Sequence, residues 1–128
     1  MAKKILQIVE TAYRATLEEQ DDPVLWLAAA LSSNGLTTDV LLRGNAVNYA
    51  VREQDAAGLA FGGWRQTQPP HLADDIAALP PKGVAVYVLA EDLAERGLGA
   101  GDLVPGLERV TRDRLPGLFA MHDQVWHW

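Results

Sequence analysis

The chain has 128 residues, 48% hydrophobic and 22% charged, with a formal net charge of −6 and no cysteine. This length and mixture suit one globular domain spanning residues 1–128. Without cysteine the chain forms no disulfide, thiolate zinc site or iron–sulfur ligation and does no thiol chemistry. Eleven basic residues are scattered among seventeen acidic ones, which argues against direct binding of nucleic acid.

Taken in chain order, Ile5–Val9 is an apolar run that suits a buried strand. Together with Lys3 and Lys4 it resembles the start of a signal peptide. Gln7 interrupts the run and Glu10 ends it, short of the roughly 7–15 residues of an h-region. No apolar stretch approaches the roughly 20 residues that span a bilayer. The expectation is a cytoplasmic protein with no membrane contact.

Thr11–Asp21 is polar and reads as a loop with a turn. Asp22-Pro23 marks a helix start, with Asp as N-cap and Pro in the first turn. Val24, Leu27, Ala28 and Leu31 recur at helical spacing, and Asn34-Gly35 ends the helix. Thr38–Leu42 is a second strand. After Gly44, Asn45 is expected to cap a helix with the stripe Val47, Ala50, Val51. Gly58–Pro70 reads mostly as loop, although it carries Leu59, Phe61 and Trp64. His71–Leu79 is a short helix stopped by Pro80-Pro81.

Val84–Leu89 is the clearest strand, followed by a short helix Glu91–Arg96 that ends at Gly97. Gly99–Gly106 reads as loop and Leu107–Val110 as a fourth strand. Thr111 is expected to cap a helix over about Arg112–His122, and Gln124–Trp128 closes the chain as a fifth strand. Apolar strands alternating with helices predict an α/β fold. Its form would be three-layer, a mostly parallel five-stranded sheet with helices on both faces. Ligands of such sheets sit beyond the carboxyl ends of the strands, here Glu10–Arg14, Arg43–Asn48, Leu89–Asp92 and Val110–Arg112.

Phosphate-loop, dinucleotide, nucleophile-elbow and metalloprotease motifs are absent. Gly97-Leu98-Gly99-Ala100-Gly101 follows a helix rather than a strand and reads as a flexible loop, not a phosphate cradle. The segment Val84-Ala85-Val86-Tyr87-Val88-Leu89-Ala90-Glu91-Asp92-Leu93-Ala94-Glu95-Arg96-Gly97-Leu98 resembles the central segment of the DsrE/DsrF/DsrH-like (TusBCD-like) family. The tail His122-Asp123-Gln124-Val125-Trp126-His127-Trp128 resembles the closing segment of its DsrH/TusB branch. The first two strands, with Asn34-Gly35 and Leu41-Leu42-Arg43-Gly44, resemble the DsrE branch. The resemblance implies small cytoplasmic α/β subunits that form homo- or hetero-oligomers. These relay sulfane sulfur for tRNA thiolation or sulfur oxidation, on a cysteine near the end of the central strand. Aligned on Arg96-Gly97-Leu98, that position is Leu89, which has no nucleophile. What the resemblance implies here is fold and association, with no catalytic residue and no cofactor.

Other candidates have two readings each. Glu91 and Asp92 fit an acid/base pair, but more simply the acidic first turn of a helix. His71, His122 and His127 are too scattered for metal ligands and suit capping, surface or packing roles. Tyr13, Arg14, Asn45 and Asn48 follow strand ends. Tyr13, Asn45 and Asn48, with Glu91, could line a small-molecule site; a helix cap at Asn45 and a solvated Arg14 are simpler. Trp26 is expected to pack on its helix's neighbours. Phe61, Trp64, Trp126 and Trp128 suit an oligomer interface, where aromatics are enriched.

Three functions remain open: a non-catalytic DsrE/DsrH-like subunit that binds partners, a small-molecule-binding or enzymatic domain, and a purely structural homo-oligomer.

Overall fold

The computed structural model describes residues 3–13, 22–54 and 58–128. Strand β1 (Lys4–Val9) is followed by α1 (Pro23–Ser33) and β2 (Thr37–Leu42). A 3-10 helix, Gly44–Ala50, leads to a small hairpin, β3 (Ala60–Phe61) and β4 (Trp64–Arg65). Next come α2 (Leu72–Ala78), β5 (Val86–Leu89) and α3 (Ala90–Glu95). The chain closes with β6 (Glu108–Val110), α4 (Leu115–Ala120) and β7 (Gln124–His127). Arg14, and the polar loop expected over Thr11–Asp21 beyond Tyr13, lie outside the described residues.

Five strands form one sheet in the order β6-β5-β2-β1-β7, every pair parallel. Parallel neighbours need crossovers, and the helices provide them. The chain steps outward from β1 through β2 and β5 to β6, then returns to place β7 on the other side of β1. Ile8 pairs in register with both Leu41 and His127.

The two faces are covered unequally. On one, Val9, Val40, Leu42, Val86 and Val88 pack with Val24, Leu25 and Ala28 of α1, with the 3-10 helix, with Ile76 of α2 and with Leu93 of α3. On the other, Leu6, Ile8, Leu41 and Tyr87 meet Leu118 of α4, with Leu115 and Phe119 beside it. The crossover to β7 supplies that single six-residue helix. Among the described residues no helix is long and apolar enough to cross a membrane.

Local signals set several elements. Asp22 caps α1, accepting from the N–H groups of Val24 at 2.9 Å and Leu25 at 3.3 Å. Gly35, in the left-handed region at φ 83°, turns the chain past the C-cap Asn34.

Other details differ from the sequence expectation. The buried face of α1 is Val24, Leu25 and Ala28, while Leu27 and Leu31 are only half-buried. Trp26 does not pack inward but is 62% exposed, because it falls on the outer side of that helix. Asn45 is not an N-cap: Arg43 holds that position, and Asn45 lies inside the first turn of the 3-10 helix. The Gly58–Pro70 stretch is mostly loop, as expected, but it also carries a small hairpin, Ala60–Phe61 with Trp64–Arg65. Gly62-Gly63 makes its two-residue turn, with Gly62 at φ 56°. Thr111 precedes a 3-10 turn, Arg112–Arg114, and its hydroxyl bonds the Asp113 carboxylate instead of capping the backbone.

Candidate functional site

Beyond the carboxyl ends of β1 and β2 lies an open cavity of about 500 Å³. Its wall comes from Glu10, Thr11, Ala12 and Tyr13 after β1, from Gly44, Asn45 and Asn48 after β2, and from Arg96 after α3. This is where an open parallel sheet presents backbone ends and loops to a ligand. Tyr13, Asn45 and Asn48 therefore converge.

The wall is held by cross-connections. Arg96 donates from one Nη to Asn45 Oδ1 at 2.8 Å and from the other to the Asp92 carbonyl at 3.0 Å. Asn48 Nδ2 donates to the Asn45 carbonyl at 3.0 Å. Asp92, only 8% exposed, accepts from the Gly44 N–H at 2.6 Å and so ties the start of α3 to the turn after β2. Its other oxygen lies 3.7 Å from Arg112 Nη2.

Glu10 sits between Arg43, 3.7 Å away, and His127 Nε2, 2.9 Å away. Gly44, in the left-handed region at φ 56°, passes so close to Glu10 that a Cβ there would come within 3.3 Å of its Cγ.

Tyr13 is held in the left-handed region, at φ 61°, a conformation that costs a non-glycine residue and needs support from its surroundings. Its N–H donates to the Tyr49 hydroxyl. That hydroxyl donates in turn to Asp22 Oδ2 at 2.5 Å. The two tyrosine rings meet edge to face, centroids 5.3 Å apart. A relay thus runs from the N-cap of α1 to the cavity rim. Partial burial holds the Tyr13 phenol above its ordinary pKa of 10.0, so it stays neutral at physiological pH.

Glu91 does not join this group. Both its carboxylate oxygens accept from the Arg112 N–H, at 2.8 and 3.0 Å, which binds α3 to the segment after β6. It sits in the acidic first turn of α3 with Asp92. Leu89 is the N-cap residue of α3, 1% exposed and paired in register with Val110. No cluster of three or more His, Cys, Asp or Glu suited to a metal occurs among the described residues.

Sequence reasoning weighed Asp92 with Glu91 as an acid/base pair or as the acidic first turn of a helix, and the structure places both in the first turn of α3. It missed Glu10, Arg43 and Arg96 as parts of this site, although Glu10 and Arg43 stood within the strand ends it marked. Arg96 carried no signal, because its contact with Asn45 spans 51 residues.

The aromatic candidates for an interface divide by place. Phe61 and Trp64 stack across the hairpin with centroids 5.9 Å apart and stay 63% and 45% exposed. Trp126 is half-buried on β7, and Trp128 is 38% exposed just beyond it.

No family model and no curated protein matches this sequence. Solved structures do match its shape. The ychN protein from E. coli is 22% identical with a TM-score of 0.72, the alignment covering 98% of this chain and 99% of that one. A protein of unknown function from Methanobacterium thermoautotrophicum is 11% identical, TM-score 0.66, covering 97% and 98%. A conserved protein of unknown function from Bacteroides thetaiotaomicron is 13% identical, TM-score 0.67, covering 98% and 95%. At these identities the likeness establishes a shared α/β fold along nearly the whole chain.

Proposed function

We propose that this chain is a non-catalytic subunit of the DsrE/DsrH-like kind, binding partner subunits in a sulfur-relay setting such as tRNA thiolation or sulfur oxidation. The observation that carries this reading is Leu89. It stands at the carboxyl end of β5 and the start of α3, where unpaired amides would stabilise a thiolate. An apolar side chain there has nothing to accept sulfur, and no cysteine elsewhere replaces it. The exposed Phe61–Trp64 stack supports an associating subunit. The test is to purify the chain from its native host and identify what accompanies it by mass spectrometry. A cysteine-bearing α/β subunit in stoichiometric amount is expected; recovery of the chain alone overturns the reading.

A second reading is favoured by the cavity: a small polar ligand held by Tyr13, Asn45 and Asn48, with Arg96 as a fixed guanidinium. Glu91, bonded to Arg112, stands outside it. A ligand co-purifying with the protein and lost in Asn48→Ala would support this alternative.

A further inference from the structure

We infer that β7 is a docking edge for a second copy of this chain, pairing antiparallel with its own counterpart across a two-fold axis at Trp126. The inference rests on the reading of the chain as an associating subunit and specifies where one contact lies.

The sheet has two edges, and they differ in protection. β6 carries the exposed charges Glu108 and Arg109 and runs for only three residues. Charged side chains and short length are the usual guards of an edge. β7 is Gln-Val-Trp-His, with no lysine, arginine, acid or proline in it, and none of its residues is buried. Among the described residues no strand pairs with its outer side.

The backbone sets the register. Trp128 donates to the Ile8 carbonyl at 2.9 Å and accepts from the Glu10 N–H at 3.2 Å, so its polar groups face β1. By strand alternation Trp126 faces β1 as well, and the N–H and C=O groups of Val125 and His127 point away from the sheet. Two copies related by a two-fold axis meet antiparallel. Centring the axis on Trp126 puts Val125 opposite the other copy's His127 and uses all these outward groups. Centring on His127 leaves Val125 without a partner inside the strand.

The side chains agree. Trp126 is in register with Gln7 and shares its face, so the axis brings the two Trp126 rings together as a cross-strand aromatic pair. Trp128, on the same face, comes opposite Gln124 of the other copy. No acid meets an acid within the paired segment. The contact is small, so the dimer should form over the micromolar range and depend on concentration.

Because the wild-type chain has no cysteine, single-cysteine variants read the register without background. In the non-hydrogen-bonded antiparallel pair at the axis, Cα atoms lie about 4.5 Å apart, within disulfide reach. Trp126→Cys is therefore expected to give a covalent dimer under mild oxidation, while Val125→Cys alone and His127→Cys alone do not. A mixture of those last two variants, which keep Trp126, is expected to give the mixed disulfide. Val125→Pro removes one outward N–H per copy and no bond to β1, and should weaken dimerisation about tenfold or more with circular dichroism unchanged. Equal cross-linking at all three positions and no mixed disulfide, or an oligomer indifferent to Val125→Pro, overturns the β7 contact and leaves association through the hairpin standing. A wild-type monomer throughout the micromolar range in sedimentation equilibrium overturns both.

Discussion

Asp22 shows how one residue can serve the fold and the cavity together. Its carboxylate is fully buried, caps α1 and receives the Tyr49 hydroxyl, which in turn receives the Tyr13 N–H. Removing it takes away a cap and strands a buried hydroxyl, so Asp22→Ala should cost about 2–4 kcal/mol in denaturant unfolding. Asp22→Asn keeps an acceptor for the backbone and should cost less. Gln7 is the opposite case. It is fully buried, donates to Thr38 Oγ1 at 3.1 Å, and leaves Oε1 without a partner among the described residues. Replacing both with apolar residues, Gln7→Leu with Thr38→Val, removes that unmet acceptor along with the bond. The pair should be neutral to stabilising, by up to about 1 kcal/mol. Tyr87 gives a pH signature. Burial first, then the charges of Asp39 and Glu108, push its phenol above 10.0. The neutral form is thus favoured by folding, so this contribution is fully present below the unfolded value and is lost as pH rises past it. Thermal unfolding from about pH 9 to about pH 12 should show a decline that Tyr87→Phe reduces.

At the scale of elements, two connections depend on few contacts. The first is the return crossover through α4. The His122 side chain is fully buried, one ring nitrogen 2.8 Å from Asp39 Oδ2 and the other 2.8 Å from the Leu118 carbonyl. Asp39 also takes the Ala85 N–H at 3.0 Å and has Lys4 Nζ at 3.3 Å. The pair joins the C-terminal end of α4 to β2 in the middle of the sheet. His122→Ala should cost about 2–4 kcal/mol, because it leaves a buried carboxylate short of a partner. Amide exchange should then rise first in β7. The second connection is the hairpin. Gln66 latches its base, donating its N–H to the Leu59 carbonyl at 2.7 Å and accepting the Leu59 N–H on Oε1 at 3.1 Å. Gly58, at φ 98°, passes under this latch, where a Cβ would come within 3.1 Å of the Gln66 carbonyl. The stacked rings beyond the latch face solvent. Trp64→Ala should therefore change monomer stability by less than about 1 kcal/mol. In sedimentation equilibrium it should weaken self-association; unchanged assembly would remove the hairpin from the interface.

For the whole molecule, the test of the proposed role is chemical. Incubated with a cysteine desulfurase, cysteine and labelled sulfur, the chain should show no mass increase. A covalent adduct would sink the reading built on Leu89. Leu89→Cys probes the position directly. Leu89 begins α3 yet is 1% exposed, so a thiol there should alkylate slowly in the native state and fast in denaturant. A thiol that stays inert until denaturant is added would mean that the sulfur-accepting position of such subunits is not Leu89, whereas native reaction with a lowered thiol pKa would support that position.

Much of the architecture was legible because it is written in short-range terms. Asp22-Pro23 starts a helix and Asn34-Gly35 ends it through backbone geometry within a few residues, and the continuous apolar runs at Ile5–Val9 and Val84–Leu89 announce buried parallel strands. From these signals alone the sequence determined an α/β fold with a mostly parallel five-stranded sheet, and excluded thiol chemistry; that every pair is parallel came from the tertiary structure. The rest depends on which distant segments meet. Placing β7 beside β1 brings His127 to Glu10, and the α4 crossover carries His122 to Asp39, 83 residues away. The packing of α3 against the turn after β2 sends Arg96 to Asn45 and Asp92 to Gly44, while Glu91 is drawn toward Arg112. No periodicity encodes such pairings, because strand order is set by burying both faces of the sheet at once. The hairpin was hidden for a different reason: its strands are two residues long, too short for alternation to register, and Gly62-Gly63 alone marked the turn.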